Sequence, residues 1–465
     1  MRNPAPFLIY SPLFFFVFLT LLLPCNVRQL CLKSRHRPCM SDLYSLSHAE
    51  SLDRQDSLKA YRDRFVIRDP WLIYMDGNSL GRLPVETVGV LDMAIKEQWG
   101  NRLIRSWNEG WYQQSQRVGK KIAQIIGAHP DEVILSDSTS VNLYKLAYGA
   151  LKLAGGRSEI ISDDMNFPSD LYVFQGLVRQ FGSTHTLRLL KSADGVSSDM
   201  TELLRMIGRR TALVSLSHVT FKSSYLYDME KVTELAHLHG AMVLWDLSHS
   251  VGVVPISLKS ANADLAIGCT YKFLNGGPGS PAFLYVRKDL QEKLENPVQA
   301  WFGEKKPFEF KLNYRPSEGV RKYLTGTPPV ISVSGLEPAL DMILEAGIAA
   351  IRKKSIMQTE YLINLASEWL IKKGFRLGSP DYKEKRGSHV SLKHAEAYRI
   401  CKALIDPSVG KHVVLPDFRE PNNIRLGIAP LYTSYQEIYH ALDQMKTILE
   451  NKIYERYPRS REAVT

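Results

Sequence analysis

Cysteine is scarce and poorly placed for bonding. Of five in the 465-residue chain, Cys25, Cys31 and Cys39 precede Met40, leaving only Cys269 and Cys401 in the body. Two cysteines so far apart offer neither a disulfide framework nor a zinc site, and the body reads as a cytoplasmic protein without a metal. Internal repeats and low-complexity stretches are missing, and an apolar fraction of 45% with 23% charged residues excludes disordered and collagen-like classes. A long basic block is missing too. Of the net charge of +11, Arg2, Arg28, Lys33, Arg35 and Arg37 supply five ahead of Met40, and the rest is spread among acids, as on a solvated surface. No nucleic-acid partner is implied.

Uncharged runs long enough for a bilayer are absent except at residues 7–23 (FLIYSPLFFFVFLTLLL), which approach the ~17-residue lower limit of a spanning helix. Three readings stay open: a membrane anchor, a cleaved targeting segment, or an extended start ahead of a true beginning at Met40. No small-x-small cleavage site follows the run.

What is present is alternation. The strand candidates EVILS, SEIISD, HTLRLL, TALVSLS, AMVLWDLS, DLAIGCT and AFLYV are separated by amphipathic segments such as VNLYKLAYGALKLA and PSDLYVFQGLVRQFG. This predicts an α/β layer with a mostly parallel sheet flanked by helices. Helices are also expected from Pro84 to about Trp99, over QSQRVGKKIAQIIGAH, through the long region after Pro328-Pro329, and from about Tyr435 to Lys452. The expected organisation is an N-terminal extension (1–39), an arm (40–110) packing on the small domain, a large domain (111–330) and a smaller α+β C-terminal domain (331–465).

Three features of the large domain converge on one cofactor. In VLWDLSHS, Asp246 ends a strand with His249 three residues on; a carboxylate there can hold a pyridine nitrogen protonated. In CTYKFLNGGPG, Tyr271 and Lys272 follow an apolar strand and precede a Gly-rich turn, the setting of a Schiff-base lysine with a lowered pKa. In VILSDSTSVNLYKL, Ser138, Thr139 and Ser140 open a helix whose N-terminus suits a phosphate, although alone they would read as an ordinary cap. Pyridine, aldehyde and phosphate together describe pyridoxal 5'-phosphate.

With DGNSLG (76–81), SDSTSVNL (136–143), NFPSD (166–170), DLSHSVG (246–252), TYKFLNGGPG (270–279), WFG (301–303) and IRLGIAPLY (424–432), the chain from about Met40 onward resembles the bacterial kynureninase family. Residues 1–39 have no counterpart in that pattern. The resemblance implies the pyridoxal-phosphate-dependent transferase fold of type I, aspartate-aminotransferase-like. It also implies a hydrolase that cleaves the Cβ–Cγ bond of L-kynurenine to anthranilate and L-alanine in tryptophan degradation. Lys272 would carry the cofactor and Asp246 would pair with its ring nitrogen. Thr139, Ser140 and Tyr271 would lie around its phosphate, Phe167 would stack on the ring, and Pro168, Ser169, Asp170, Ser217 and His249 would line it. Trp301 and Thr327 would reach in from the second subunit of a homodimer with shared active sites. Arg425 would hold the substrate carboxylate, with Asn78, Ser79 and Trp107 also at the substrate. Lys272 would be the base and Tyr271 an acid and base at the carbonyl.

Members that favour 3-hydroxykynurenine carry an Asn where Thr327 stands and a His-bearing segment where SWNEGW (106–111) stands, so L-kynurenine is expected to be preferred. Two competing readings are a cysteine desulfurase or selenocysteine lyase, which when acting on cysteine needs a thiol after the lysine, where only Cys401 is available, and an inactive membrane-tethered binding protein.

Overall fold

A computed structural model of the chain describes residues 40–460. The expectations for residues 7–23 and for the first three cysteines fall outside them. The architecture below belongs to the unit that begins at Tyr44. Helix α1 (Leu46–Gln55) starts at Ser45, whose hydroxyl accepts from the His48 N–H at 3.2 Å. Strand β1 (Leu72–Tyr74) and helix α2 (Val85–Met93) follow. The expected run to Trp99 is helical throughout, but from Ala94 to Arg102 it widens into a π-helix. Gln98 anchors this segment: its carbonyl accepts from Ser106 Oγ at 2.7 Å and its side chain from Trp111 Nε1 at 2.8 Å. Periodicity alone does not separate α from π turns.

After α3 (Gln114–Ile125), strands and helices alternate: β2 (Val133–Leu135), α4 (Thr139–Leu153), β3 (Glu159–Asp163), α5 (Pro168–Phe181), β4 (Thr186–Leu190), α6 (Met200–Met206), β5 (Thr211–Ser217), α7 (Met229–Leu238), β6 (Met242–Asp246), β7 (Leu265–Gly268) and β8 (Phe283–Val286). The seven strands form one sheet in the order β2-β8-β7-β6-β5-β3-β4, with β8 antiparallel to both neighbours and every other pair parallel. Both faces are covered. Val243 and Trp245 of β6 enter one apolar cluster and Leu244 enters the other, which is why these strands read as unbroken apolar runs.

The long helical region divides at Gly347 into α8 (Val330–Ala346) and α9 (Ile348–Trp369). Then come β9 (Arg376–Leu377), β10 (His389–Lys393), α10 (Ala397–Ile405), β11 (Val413–Leu415), β12 (Asp417–Arg419), β13 (Asn423–Gly427) and α11 (Tyr435–Glu450), the last opened by a Ser434/Glu437 capping box. An antiparallel sheet β12-β13-β10-β9 packs with α9, α10 and α11 around a separate apolar cluster. β9, β11 and β12 span only two or three residues, too few to show a period in the sequence. β1 pairs in parallel with β11, so the segment leading into DGNSLG is held by residues more than 300 positions later.

Candidate active site

The carboxyl ends of β2, β3, β5, β6 and β7 lie along one edge of the large sheet, and the sequence motifs are the loops that leave them. Asp246 is the last residue of β6 and is buried; its Oδ1 accepts from the backbone N–H of Ser248 at 2.9 Å and from Ser248 Oγ at 2.6 Å. Asp170, on the first turn of α5, is also buried, and its Oδ2 has no hydrogen-bond partner among the described residues. Burial pushes both carboxyls up; Asp246 pushes Asp170 further, and the Lys272 ammonium opposes the rise in each.

Lys272 follows β7 and is half-buried. Its Nζ lies 3.0 Å from His249 Nε2 and 5.9 Å from the centroid of the Phe167 ring. Burial, with the Lys272 charge next, holds His249 well below the usual imidazole range, so it is neutral and can accept from the amine. Its Nδ1 is unpartnered among the described residues. Tyr271 is pushed up by burial and stays protonated at neutral pH. Ser217 ends β5 and donates to Asn166 Oδ1 at 2.6 Å. Helices α4 and α5 both begin at this edge, at Thr139 and Pro168, and their first turns meet where Ser140 Oγ lies 2.8 Å from Ser169 Oγ. Phe167 is 42% exposed and stands edge-on to Phe221, with ring centroids 5.3 Å apart, so one face is available to a flat ligand.

Pyridoxal phosphate fits this set. Two buried carboxyls with raised affinity for protons, one carrying an unpaired oxygen, suit a protonated ring nitrogen, and two converging helix N-termini whose hydroxyls meet between them suit a phosphate. A cavity of about 480 Å³ adjoins them, lined by Ser138, Thr139, Tyr271, Gly279 and Thr327. A larger recess of about 690 Å³, lined by Asp53, Trp71, His412 and His440, touches Tyr432 of the last motif but contains none of the expected cofactor- or substrate-binding residues.

Arg425, in β13, is buried and near enough to His249 for its charge to disfavour the imidazolium there. Its Nη1 donates to the Phe221 carbonyl at 2.7 Å, its Nη2 donates to Ser79 Oγ at 2.7 Å and lies 2.5 Å from Asp417 Oδ2, and its Nε is unpartnered among the described residues. Burial lowers its pKa to about 10, with the Asp417 carboxylate opposing. The DGNSLG loop docks on the lysine turn through Gly81 N–H and the Tyr271 carbonyl, 2.8 Å apart. Asn78 in this loop is fully buried, with neither amide atom paired among the described residues.

Two of the expected residues sit apart from this cluster. Trp107 packs edge-on against Trp111 and tilted against Phe302, both with ring centroids 5.6 Å away, and Trp301 stands at 4.4 Å from Phe302 with 40% of its surface exposed. Within the chain they form an aromatic group of their own. Sequence reading missed Asn166, Phe221, Ser248, His389 and Asp417. Asn166 and Ser248 lay inside quoted motifs and were within reach. Phe221 follows β5 outside any motif, and His389 and Asp417 come to the site only through the pairing of β10, β12 and β13.

The model of the kynureninase C-terminal domain matches residues 351–445. The chain is 41% identical over 409 residues to a kynureninase from Pseudomonas fluorescens, covering 87% of this chain and 95% of that protein. It is 38% identical over 411 residues to one from Burkholderia mallei, covering 87% and 96%. Among solved structures, an apo cysteine desulfurase from Thermococcus onnurineus superposes with a TM-score of 0.71 at 19% identity, covering 82% of this chain and 95% of that one. A cysteine desulfurase from Escherichia coli does so with 0.70 at 18%, covering 85% and 99%. These structural likenesses give the type I fold of pyridoxal-phosphate enzymes, the sequence relatives are covered over nearly their whole length, and the chain belongs to the kynureninase family.

Proposed function

We propose that this protein is a pyridoxal-phosphate-dependent hydrolase that cleaves L-kynurenine between Cβ and Cγ, giving anthranilate and L-alanine. The observation that carries the reading is the amine of Lys272, held at 3.0 Å from a neutral His249, near two buried carboxyls and an arginine with an unpaired Nε. Asp246 and Asp170 would hold the ring of the cofactor, Thr139, Ser140 and Tyr271 its phosphate, and Phe167, Ser169, Ser217 and His249 its faces and edges. Bound there, the cofactor supplies an electron sink for negative charge on the substrate carbons next to the amine.

Lys272, once freed, takes the Cα proton, and His249 orients its amine. Arg425, with Ser79 and Asn78 beside it, binds the substrate carboxylate through a fork that an ammonium cannot copy. Tyr271, kept protonated by burial, donates to the γ-carbonyl oxygen as water adds. As the Cβ–Cγ bond breaks the hydrate sheds two protons, one restoring Tyr271 and the other passing through it to Cβ, so that anthranilic acid leaves and the alanine methyl group is completed. Burial of the surrounding groups excludes other water from the amine.

The desulfurase reading lacks its nucleophile. Cys401 is buried in α10 with its thiol pushed up by burial, and Cys269 is buried beneath Ser248. A homodimer with Trp301 and Thr327 crossing to the other active site is part of the proposal. Its support is the apolar surface left exposed by Val88, Met93, Trp99 and Ile104. The domain division at about residue 330 is proposed on the two separate sheets either side of it. Among the described residues no helix is long and apolar enough to cross a membrane, and a cytoplasmic location is proposed.

The test is Lys272→Ala. Turnover should be abolished together with the borohydride-reducible absorbance of the bound cofactor; wild-type-like steady-state turnover in that variant refutes the assignment. On the wild type, kcat/KM should favour L-kynurenine over its 3-hydroxy derivative, and the reverse order would refute the expected preference.

A further inference from the structure

His389 is fully buried in β10, and neither of its ring nitrogens makes a well-formed hydrogen bond among the described residues. A poorly aligned hydrogen bond to the Phe221 backbone favours its protonated form against the effect of burial. A buried imidazole so weakly satisfied is costly unless something else occupies it. Its surroundings show where that partner would stand. The ring centroid is 5.6 Å from that of His249, which holds the Lys272 amine. In the β10/β13 ladder His389 faces Gly427 and Ser391 faces Arg425, so His389 and Arg425 project from the same side of the sheet, one ladder step apart.

Opposite His389 there is no side chain, because the position is Gly427. Asn78 fills that space: a Cβ on Gly427 would stand 2.8 Å from Asn78 Cγ. Asn78 Nδ2 and Oδ1, Arg425 Nε, His249 Nδ1 and both nitrogens of His389 are thus buried polar atoms without well-formed hydrogen bonds, gathered in one place. A cluster of this kind is what a small, highly polar ligand group leaves behind.

We propose that His389 is a substrate-binding residue that donates a hydrogen bond to the α-carboxylate of the amino-acid substrate, alongside Arg425. The inference rests on the reading of Arg425 as the carboxylate anchor and extends it. Arg425 presents its unpaired Nε N–H to one carboxylate oxygen, its Nη2 being held by Ser79 and Asp417, and the neutral imidazole supplies an N–H to the oxygen that the guanidinium does not saturate. Being uncharged, His389 adds direction without a second buried cation.

The holoenzyme carrying His389→Leu, His389→Asn or His389→Gln tests this, with L-kynurenine as substrate and the corresponding amine, which lacks the α-carboxylate, as competitive inhibitor. His389→Leu should raise KM by about 10- to 100-fold, as expected for a lost hydrogen bond to a charged group, with kcat changed by less than about threefold. His389→Asn, polar but too short to reach, should behave alike, and His389→Gln should recover most of the loss. The inhibition constant of the amine should barely move, so that the preference for the carboxylate-bearing ligand collapses. A parallel loss for both ligands, a fall in kcat with KM intact, or a Gln variant as impaired as Leu overturns the proposal. Should the Leu variant not fold, the Asn and Gln pair decides by the same criteria. Arg425→Lys measured beside them separates the two claims: if that variant keeps both affinity and discrimination, the anchor reading fails irrespective of His389.

Discussion

The guanidinium of Arg425 is held from three directions, by the Phe221 carbonyl, Ser79 and Asp417, and this fixes the direction of its unpaired Nε. Replacing it by Lys keeps the charge and loses the fork. Arg425→Lys should therefore fold and raise KM for L-kynurenine by about 10- to 100-fold, checked by steady-state kinetics beside a thermal melt. The same network carries a pH signature. Burial, and then the charge of Asp417, raise Asp76 to about 6 from its ordinary 3.8. Between those values the unfolded chain releases its proton while the folded protein keeps it, so stability falls as pH rises from about 4 to 6 and is level in this group above that. The cost is of order 2–3 kcal/mol. Asp76→Asn should remove that part of the slope in urea titrations run from pH 4 to 7; an unchanged slope would show that Asp76 ionises normally. Asp163 is raised to about 6 by burial as well and adds the same sign in both proteins, so the variant flattens the profile only in part.

At the level of elements, the site is made by loops clamped onto one another. DGNSLG was legible as a motif, but its partner was not. Gly81 meets the lysine turn so closely that a Cβ there would stand 2.7 Å from Asn275 Cα and overlap the Lys272 carbonyl. Gly81→Ala should push the loop off the turn, lower stability by about 1–3 kcal/mol, and reduce kcat by displacing Lys272, seen as a fall in both melting temperature and turnover. The hydroxyl run before α4 was ambiguous in the sequence between cap and phosphate site. It is both, since Ser138 caps the helix at Val141 N–H while Ser140 is left to meet Ser169. The helix expected from Pro84 was found, but its π-helical continuation was not foreseen, because the preference for wide turns lies in contacts of Gln98 with Ser106 and Trp111.

For the whole molecule, α2, the π-helix after it and the short helical turn Leu103–Trp107 carry Val88, Met93, Trp99 and Ile104 at 51, 54, 59 and 76% exposure, four large apolar side chains within one 17-residue stretch. If this face joins two copies, Trp99→Glu should shift the protein toward monomer in sedimentation velocity and cut activity, since Trp301 and Thr327 would no longer complete the opposite site. A monomer at all concentrations in the wild type would remove the proposal of shared sites.

From the order of its residues alone, this protein's alternation of seven strands with helices, the lysine turn, the strand-end aspartate and the membership in a family were all readable. Those features are local, each written in a run of five to fifteen residues whose period or motif survives without its neighbours. What tertiary structure decided is which buried polar groups face one another. His389 meets His249, Arg425 meets Phe221, and Gly81 meets Tyr271 across separations of roughly 10² residues or more, through an antiparallel register and strands of two or three residues. Sheet register depends on packing against the core and not on the strand's own sequence, so it leaves no periodic trace to read.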